Sequence, residues 1–189
     1  MRKKALPAAL AAAALAALTL APAAPAAAAA GESIQIIHTY TETVKEWSSR
    51  FACPANEVMI GRSHYGDENG YTTYRCGRIY INGEQVVVTP TGGDARVKES
   101  NSFYNTPGDA AIIGRTHFGD ENDYTTYYAG ELSWQGKTVR LTSRTWTSAY
   151  KESNHSSGAG VGQVMTGRSH RGDENGITKY EYATVTIDG

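Results

Sequence analysis

The chain repeats itself. Gly61-Arg62-Ser63-His64-Tyr65-Gly66-Asp67-Glu68-Asn69 recurs as Gly114-Arg115-Thr116-His117-Phe118-Gly119-Asp120-Glu121-Asn122, and again as Gly167-Arg168-Ser169-His170-Arg171-Gly172-Asp173-Glu174-Asn175, each copy 53 residues after the last. The register extends past the motif. Lys45-Glu46, Lys98-Glu99 and Lys151-Glu152 coincide, as do Thr72, Thr125 and Thr178, and then Tyr74, Tyr127 and Tyr180. The turn pairs Asn82-Gly83, Gln135-Gly136 and Asp188-Gly189 fall in step as well. The units are therefore 32–84, 85–137 and 138–189, with no linker between them. A unit of this size cannot bury an apolar face alone, so the three must share one core. Pseudo-threefold symmetry within a single domain, 31–189, is predicted.

Residues 1–30 stand apart. Arg2, Lys3 and Lys4 precede an uncharged apolar stretch from Ala5 to Leu20, and Ala28, Ala29 and Ala30 lie just ahead of Gly31. This is the pattern of a secretory signal peptide, with the Ala-rich composition of a GC-rich bacterium. Pro22 and Pro25 break the run, which argues against a membrane anchor. No later apolar run approaches the roughly 20 residues a membrane span needs. A secreted, extracellular protein is expected. Its two cysteines, Cys53 and Cys76, then read as one disulfide. Neither has a His at ligand spacing, so zinc is not expected. Of 18 basic and 19 acidic residues the leader carries three basic ones, leaving 15 against 19 and no basic cluster. Nucleic acid is not an expected partner.

Thr, Val, Ile and Tyr dominate the apolar segments, which favours strands. First strands are predicted at Ser33–His38 and Gln85–Thr89, a second at Glu57–Arg62 and a third at Tyr71–Ile81. The third runs into Asn82-Gly83, a type I′ hairpin signal. Thr91–Pro107 reads as a long loop with room for a short edge strand, and no helical period follows the leader. The fold class is all-β. A β-trefoil fits the repeat length, and a three-sheet β-prism is the alternative that the long third strand fits. Trp134 aligns with Ile81 and Ile187 and is expected in the core. Trp47 aligns with Ser100 and Ser153 and is expected to be exposed, as are His38 and His155.

Each motif offers a guanidinium, an imidazole, two carboxylates, a carboxamide and nearby hydroxyls. Such a set suits a sugar, whose hydroxyls both donate and accept, while its C–H faces pack on rings. Tyr65 and Phe118 lie in the loops and Tyr71 and Tyr124 just after them, whereas unit three has Arg171 and Ile177. The candidate ligand-binding set is Arg62, His64, Tyr65, Asp67, Glu68 and Asn69 in unit one. In unit two it is Arg115, His117, Phe118, Asp120, Glu121 and Asn122. In unit three it is Arg168, His170, Asp173, Glu174 and Asn175. Two alternatives stand beside it. Arg62 clamping Asp67 or Glu68, with His64 bonding a carbonyl, would make the motif loop scaffolding. Asp, Glu and Asn oxygens would also suit calcium, although the alternating Asp-x-Asp pattern is missing. No cofactor or metal is required by the motif. Arg171-Gly172-Asp173 spells an integrin-type tripeptide only because the variable position is Arg there.

Catalysis is not expected. The acid–base candidates come in threes, and Gly-x-Ser-x-Gly, His-Glu-x-x-His and phosphate-loop motifs are all missing. Glycoside hydrolysis needs two carboxyl groups about 5 to 9 Å apart across a bond, which adjacent Asp and Glu do not supply. Repeated weak sites instead gain avidity on a multivalent surface. In Gly-Arg-x-His-x-Gly-Asp-Glu-Asn, the following Thr and Tyr, and the Lys-Glu positions, the chain resembles the small secreted lectins and hemagglutinins of actinomycetes. The resemblance spans the mature chain and is one of organisation. The Gln-x-Trp signature of ricin-type trefoil lectins is absent. The resemblance implies carbohydrate binding, of galactose or rhamnose type, without catalysis, and partners that are glycans or glycoconjugates on cell surfaces. The competing class is a secreted structural or inhibitory protein whose motif only holds the fold.

Overall fold

A computed structural model describes residues 31–187. The leader at 1–30 and the last turn pair, Asp188-Gly189, lie outside the described residues. The described chain is all-β and antiparallel. Unit one supplies β1 (Ile34–Lys45), β2 (Ser48–Ala52), β3 (Val58–Tyr65) and β4 (Tyr71–Ile81). Unit two supplies β5 (Glu84–Gln85), β6 (Val87–Lys98), β7 (Asn101–Asn105), β8 (Ala110–Phe118) and β9 (Tyr124–Trp134). Unit three supplies β10 (Lys137–Trp146), β11 (Tyr150–Lys151), β12 (Asn154–Gly158), β13 (Gln163–Arg171) and β14 (Ile177–Ile187). No helix among them is long and apolar enough to cross a membrane.

One sheet runs β1-β4-β3-β12, with β5 also on β4. The other strands join into the order β2-β8-β9-β10-β14-β13-β7, with β6 also on β9 and β11 on β14. The β9–β10 link consists only of Lys137↔Trp134 and Thr138↔Ser133, the base of a tight turn. Either side of it, the pairings repeat those of the first sheet at the 53-residue offset. Arg62↔Tyr74, Arg115↔Tyr127 and Arg168↔Tyr180 are equivalent pairs. The fourth strand of each group is exchanged. β2 of unit one pairs with β8, β7 of unit two with β13, and β12 of unit three with β3. Each unit therefore lends one short strand to the next.

The hairpin reading holds in its backbone. Asn82 and Gly83 have φ of 51° and 82°, and Gln135 and Gly136 have 50° and 75°, the two positive values a type I′ turn requires. The third strand is where it was predicted. The predicted loop at Thr91–Pro107 is mostly strand, and the short edge strand it could hold is only part of that. β6 continues through a bulge between Pro90 and Asp94 to Lys98, and β7 follows at once. Likewise β1 passes a bulge after His38 and reaches Lys45. These are outermost strands exposed on most of both faces, with alternating half-burial only at their ends, as at Ile34/Ile36 and Ala95/Val97, too little for a strand to be read across the middle.

The interior is layered. Val58, Ile79, Leu132, Trp134, Val164 and Val185 belong to a wholly apolar cluster. Next comes an aromatic cluster with Phe51, Tyr74, Tyr104, Tyr127, Tyr180 and Tyr182. Phe51 stacks on Tyr74 at 4.3 Å between centroids and Tyr104 on Tyr127 at 4.7 Å. In unit three the equivalent of Phe51 is Ser157, and the lost volume is met by Tyr182, whose hydroxyl lies 2.8 Å from Ser157 Oγ. Cys53 and Cys76 form the expected disulfide. It ties the end of the exchanged β2 back to β4 of its own unit. Trp134 is in the core and Trp47 is half-exposed, as expected. His155 is not a surface residue. It is buried against Tyr180, with Nε2 2.6 Å from the phenol, at the position held by Ser49 and Ser102 elsewhere.

Candidate functional site

Strand alternation divides the motif. In β3, β8 and β13 the Gly, the Ser or Thr and the last residue face outward, while Arg and His face in. Arg62, Arg115 and Arg168 are therefore almost without solvent exposure. Charge cannot be buried unpaired, so each must find a carboxylate. The partners are Glu46, Glu99 and Glu152, from the Lys-Glu positions. Each Arg Nη2 lies 3.1 Å from the Glu of its own unit. Each Nη1 donates to the Glu of the preceding unit, at 2.9 Å for Arg62–Glu152, 2.7 Å for Arg115–Glu46 and 2.6 Å for Arg168–Glu99. The result is a closed ring of alternating charge, Arg62–Glu46–Arg115–Glu99–Arg168–Glu152. Nη1 also donates to a core phenol in each case, Tyr180, Tyr74 or Tyr127. Arg62 thus clamps neither Asp67 nor Glu68.

Burial by itself pushes these carboxyls up, but the flanking guanidinia outweigh it. Arg115 and Arg168 hold Glu99 at about 2. Glu46 and Glu152 are held well below the usual carboxylate range in the same way. The histidines form the next layer outward. Burial first, and then the nearest Arg, lowers His64, His117 and His170, keeping them neutral at pH 7. His155 is pushed down to about 4 by burial and Arg62. His64 Nε2 meets the Gly66 carbonyl at 3.1 Å and His170 Nε2 the Gly172 carbonyl at 2.9 Å, the backbone contact expected of a scaffolding His. His117 differs, with Nδ1 3.3 Å from the Tyr124 carbonyl.

Beyond the histidines lie the Gly-Asp-Glu-Asn turns. Gly66, Gly119 and Gly172 have φ of 110°, 96° and 102°, which excludes a side chain without strain. Asp67, Asp120 and Asp173 each accept the backbone N–H two residues on, at 2.8, 2.7 and 2.8 Å. They shape their own turns. The turns also grip the crossing segment between the first strand and the exchanged strand. Trp47 N donates to the Glu68 carbonyl at 2.9 Å, and the Trp47 carbonyl accepts from Gly119 N at 2.8 Å. Ser100 and Ser153 repeat both bonds in the other units. Glu68, Glu121 and Glu174 are half-buried and turn toward one another. One carboxylate oxygen from each lies within 4.8 Å of one from each of the others. Beneath them a small cavity, about 30 Å³, reaches down past the three histidines to the ring glutamates.

Of the predicted set, only Tyr65, Asp67, Asn69, Phe118, Asp120, Asn122, Asp173 and Asn175 are freely exposed. Tyr65 pairs across the strands with Tyr71, and Arg171 with Ile177. Lys45 sits over the Tyr71 ring at 4.3 Å and Arg96 over Tyr124 at 4.0 Å. The outer sheet faces below these rims are not alike, a feature the sequence reading missed. On β8–β9 a groove of about 750 Å³ is lined by Phe118, Tyr128, Arg50, Asp94 and Thr116. On β13–β14 a groove of about 540 Å³ is lined by Phe103, Trp146, Ser169, Arg171 and Lys179, with Phe103 and Trp146 stacked at 5.3 Å. On β3–β4 Arg75 lies over Gly61 instead and donates to the Ser157 carbonyl at 2.7 Å. The motif glycine makes these faces possible. A Cβ on Gly114 would lie 2.8 Å from the Phe51 carbonyl, and one on Gly167 3.1 Å from Trp146. Comparison with protein-family models, with curated proteins and with solved structures finds no match to this chain.

Proposed function

We propose that the protein is a secreted, non-catalytic, multivalent carbohydrate-binding protein whose ligands lie on the outer sheet faces and their loop rims. The observation that carries this is the pair of grooves on β8–β9 and β13–β14, each lined by aromatic rings together with charged and hydroxyl groups. Their size falls within the few-hundred to 1,000 Å³ range of small-ligand clefts. Rings at Tyr128, Phe118, Phe103 and Trp146 suit sugar C–H faces, and Arg50, Asp94, Arg171 and Lys179 suit sugar hydroxyls. The loop ring Phe118 and its unit-three counterpart Arg171 each line both rim and groove.

The arrangement also bears on architecture. Three four-stranded groups, each completed by a strand from another unit and closed by one ion-pair ring, support a three-sheet prism about a pseudo-threefold axis more than a trefoil. Such a body points its binding faces in different directions, which favours cross-linking over single engagement. The disulfide and the N-terminal apolar leader support export. The inward placement of every ring carboxylate supports the non-catalytic reading.

A glycan array with red-cell agglutination tests this. Wild-type protein is expected to bind a defined glycan class and to agglutinate. Phe118→Ala with Tyr128→Ala, and separately Trp146→Ala, each lower binding at least tenfold while near-UV circular dichroism and melting stay close to wild type. Silence on the array and in agglutination at high protein concentration would overturn the proposal.

A further inference from the structure

The acidic convergence at the mouth of the small cavity has a chemistry of its own. Glu68, Glu121 and Glu174 bring three carboxylates within 4.8 Å of one another. Two are steadied by their neighbours, since Asn69 Nδ2 donates to Glu68 at 3.2 Å and Asn175 Nδ2 to Glu174 at 3.1 Å. The ring below is already balanced, three Arg against three Glu. The cavity between is lined only by acids and histidines, with no Lys or Arg.

A second observation comes from inside the cavity. Glu99 Oε2 and Glu152 Oε2 are buried and have no hydrogen-bond partner, although their residues line it. His170 is 2% exposed, and its Nδ1 is also without a partner. Its Nε2 carries the hydrogen, because it meets the Gly172 carbonyl at 2.9 Å. Nδ1 therefore presents a lone pair, and it faces Glu152 Oε2 at 3.6 Å. Two acceptors confront each other with no donor between them. Buried acceptors of this kind are normally met by water or an ion.

We propose that the three turns bind one hard divalent cation of the calcium class. One carboxylate from each of Glu68, Glu121 and Glu174 holds the ion, and an ion-bound water in the cavity donates to Glu152 and His170. A cavity of about 30 Å³ has room for about one water. Ligand chemistry favours calcium over zinc. The three groups at the mouth offer carboxylate oxygens alone, the set a hard cation such as calcium takes, whereas zinc sites are typically built from Cys sulfur and His nitrogen. The ion would join the loops of all three units and so set the relative positions of the rims.

Direct binding and melting together test the site, and neither readout involves a glycan. Equilibrium dialysis of chelator-treated wild-type protein with calcium is expected to give one ion per chain. Calcium at a hundred times its Kd is expected to raise Tm by roughly 5–10 °C. The triple variant Glu68→Gln, Glu121→Gln, Glu174→Gln should lose both effects and, free of calcium, melt no lower than calcium-free wild type. Zero or three ions per chain, a response to zinc but not calcium, or a calcium response that survives in the triple variant would each overturn the assignment. Should the triple variant not fold, Glu121→Gln alone is expected to weaken calcium binding at least tenfold, and unchanged affinity overturns it.

Discussion

The motif Arg is the residue on which the fold turns. Arg115 has essentially no solvent exposure and contacts Glu46, Glu99 and Tyr74. Breaking a buried ion pair by removing one partner typically costs about 3–5 kcal/mol, because the remaining charge is left uncompensated. Arg115→Met is expected to lower the unfolding free energy by about that amount, with Arg62→Met and Arg168→Met equal to it within about 1 kcal/mol. Urea denaturation checks both statements. A loss under 1 kcal/mol would mean that the ring does not hold the fold. Asp67→Ala removes only an exposed turn acceptor and is expected to cost about 0.5–1.5 kcal/mol. Both results would make the motif two things at once, an interior clamp and an exposed turn.

At the level of elements, the exchanged strands bind the units together. β2, β7 and β12 are short, and the segment just before each is gripped by the Gly-Asp-Glu-Asn turns of two units. Unit one alone adds a covalent tie, since Cys53 follows β2 and Cys76 lies in β4. Units two and three have Thr106 with Ala129 and Ala159 with Tyr182 in those places. Cross-linking residues 23 apart restricts the unfolded chain by about 3 kcal/mol on the chain-entropy account. Cys53→Ser with Cys76→Ser is thus expected to lower Tm by roughly 6–12 °C without abolishing folding. A thermal scan that finds no change would show that the exchanged strand needs no covalent tie.

For the whole molecule, the layered interior makes stability depend on pH in two steps. His155 shifts from 6.5 to about 4, and His64, His117 and His170 are lowered as well. Below pH 6.5 the unfolded chain takes up protons there that the folded one refuses. Stability therefore falls as pH drops from about 6.5 toward 4. The ring carboxylates follow. Glu99 goes from 4.5 unfolded to about 2 folded, so its contribution is present above 4.5 and is lost as pH falls toward 2. Tm measured between pH 8 and pH 3 is expected to be flat down to about 6.5 and to fall in two stages below it. A flat profile down to pH 4 would contradict the neutral buried histidines.

The sequence alone determined the triplication, the strand class, the hairpins at Asn82-Gly83 and Gln135-Gly136, the disulfide pairing and the burial of Trp134. All of these are local or periodic, so they are written in adjacent residues or a fixed spacing. The invariance of Glu46, Glu99, Glu152 and of Tyr74, Tyr127, Tyr180 was equally visible, but their role was not. Arg115 meets Glu46 across 69 residues and Arg62 meets Tyr180 across 118. Only tertiary structure brings them together, because each unit lends a strand to another and the charges close into a ring between units. The same holds for the exposed second half of β6, read as a loop, and for buried His155, whose partner Tyr180 is on a different strand. The repeated polar motif therefore fixed where three loops would be. Strand alternation and strand exchange decided that its Arg and His face inward, that its Glu residues converge, and that its Asp and Asn stay exposed in the turns.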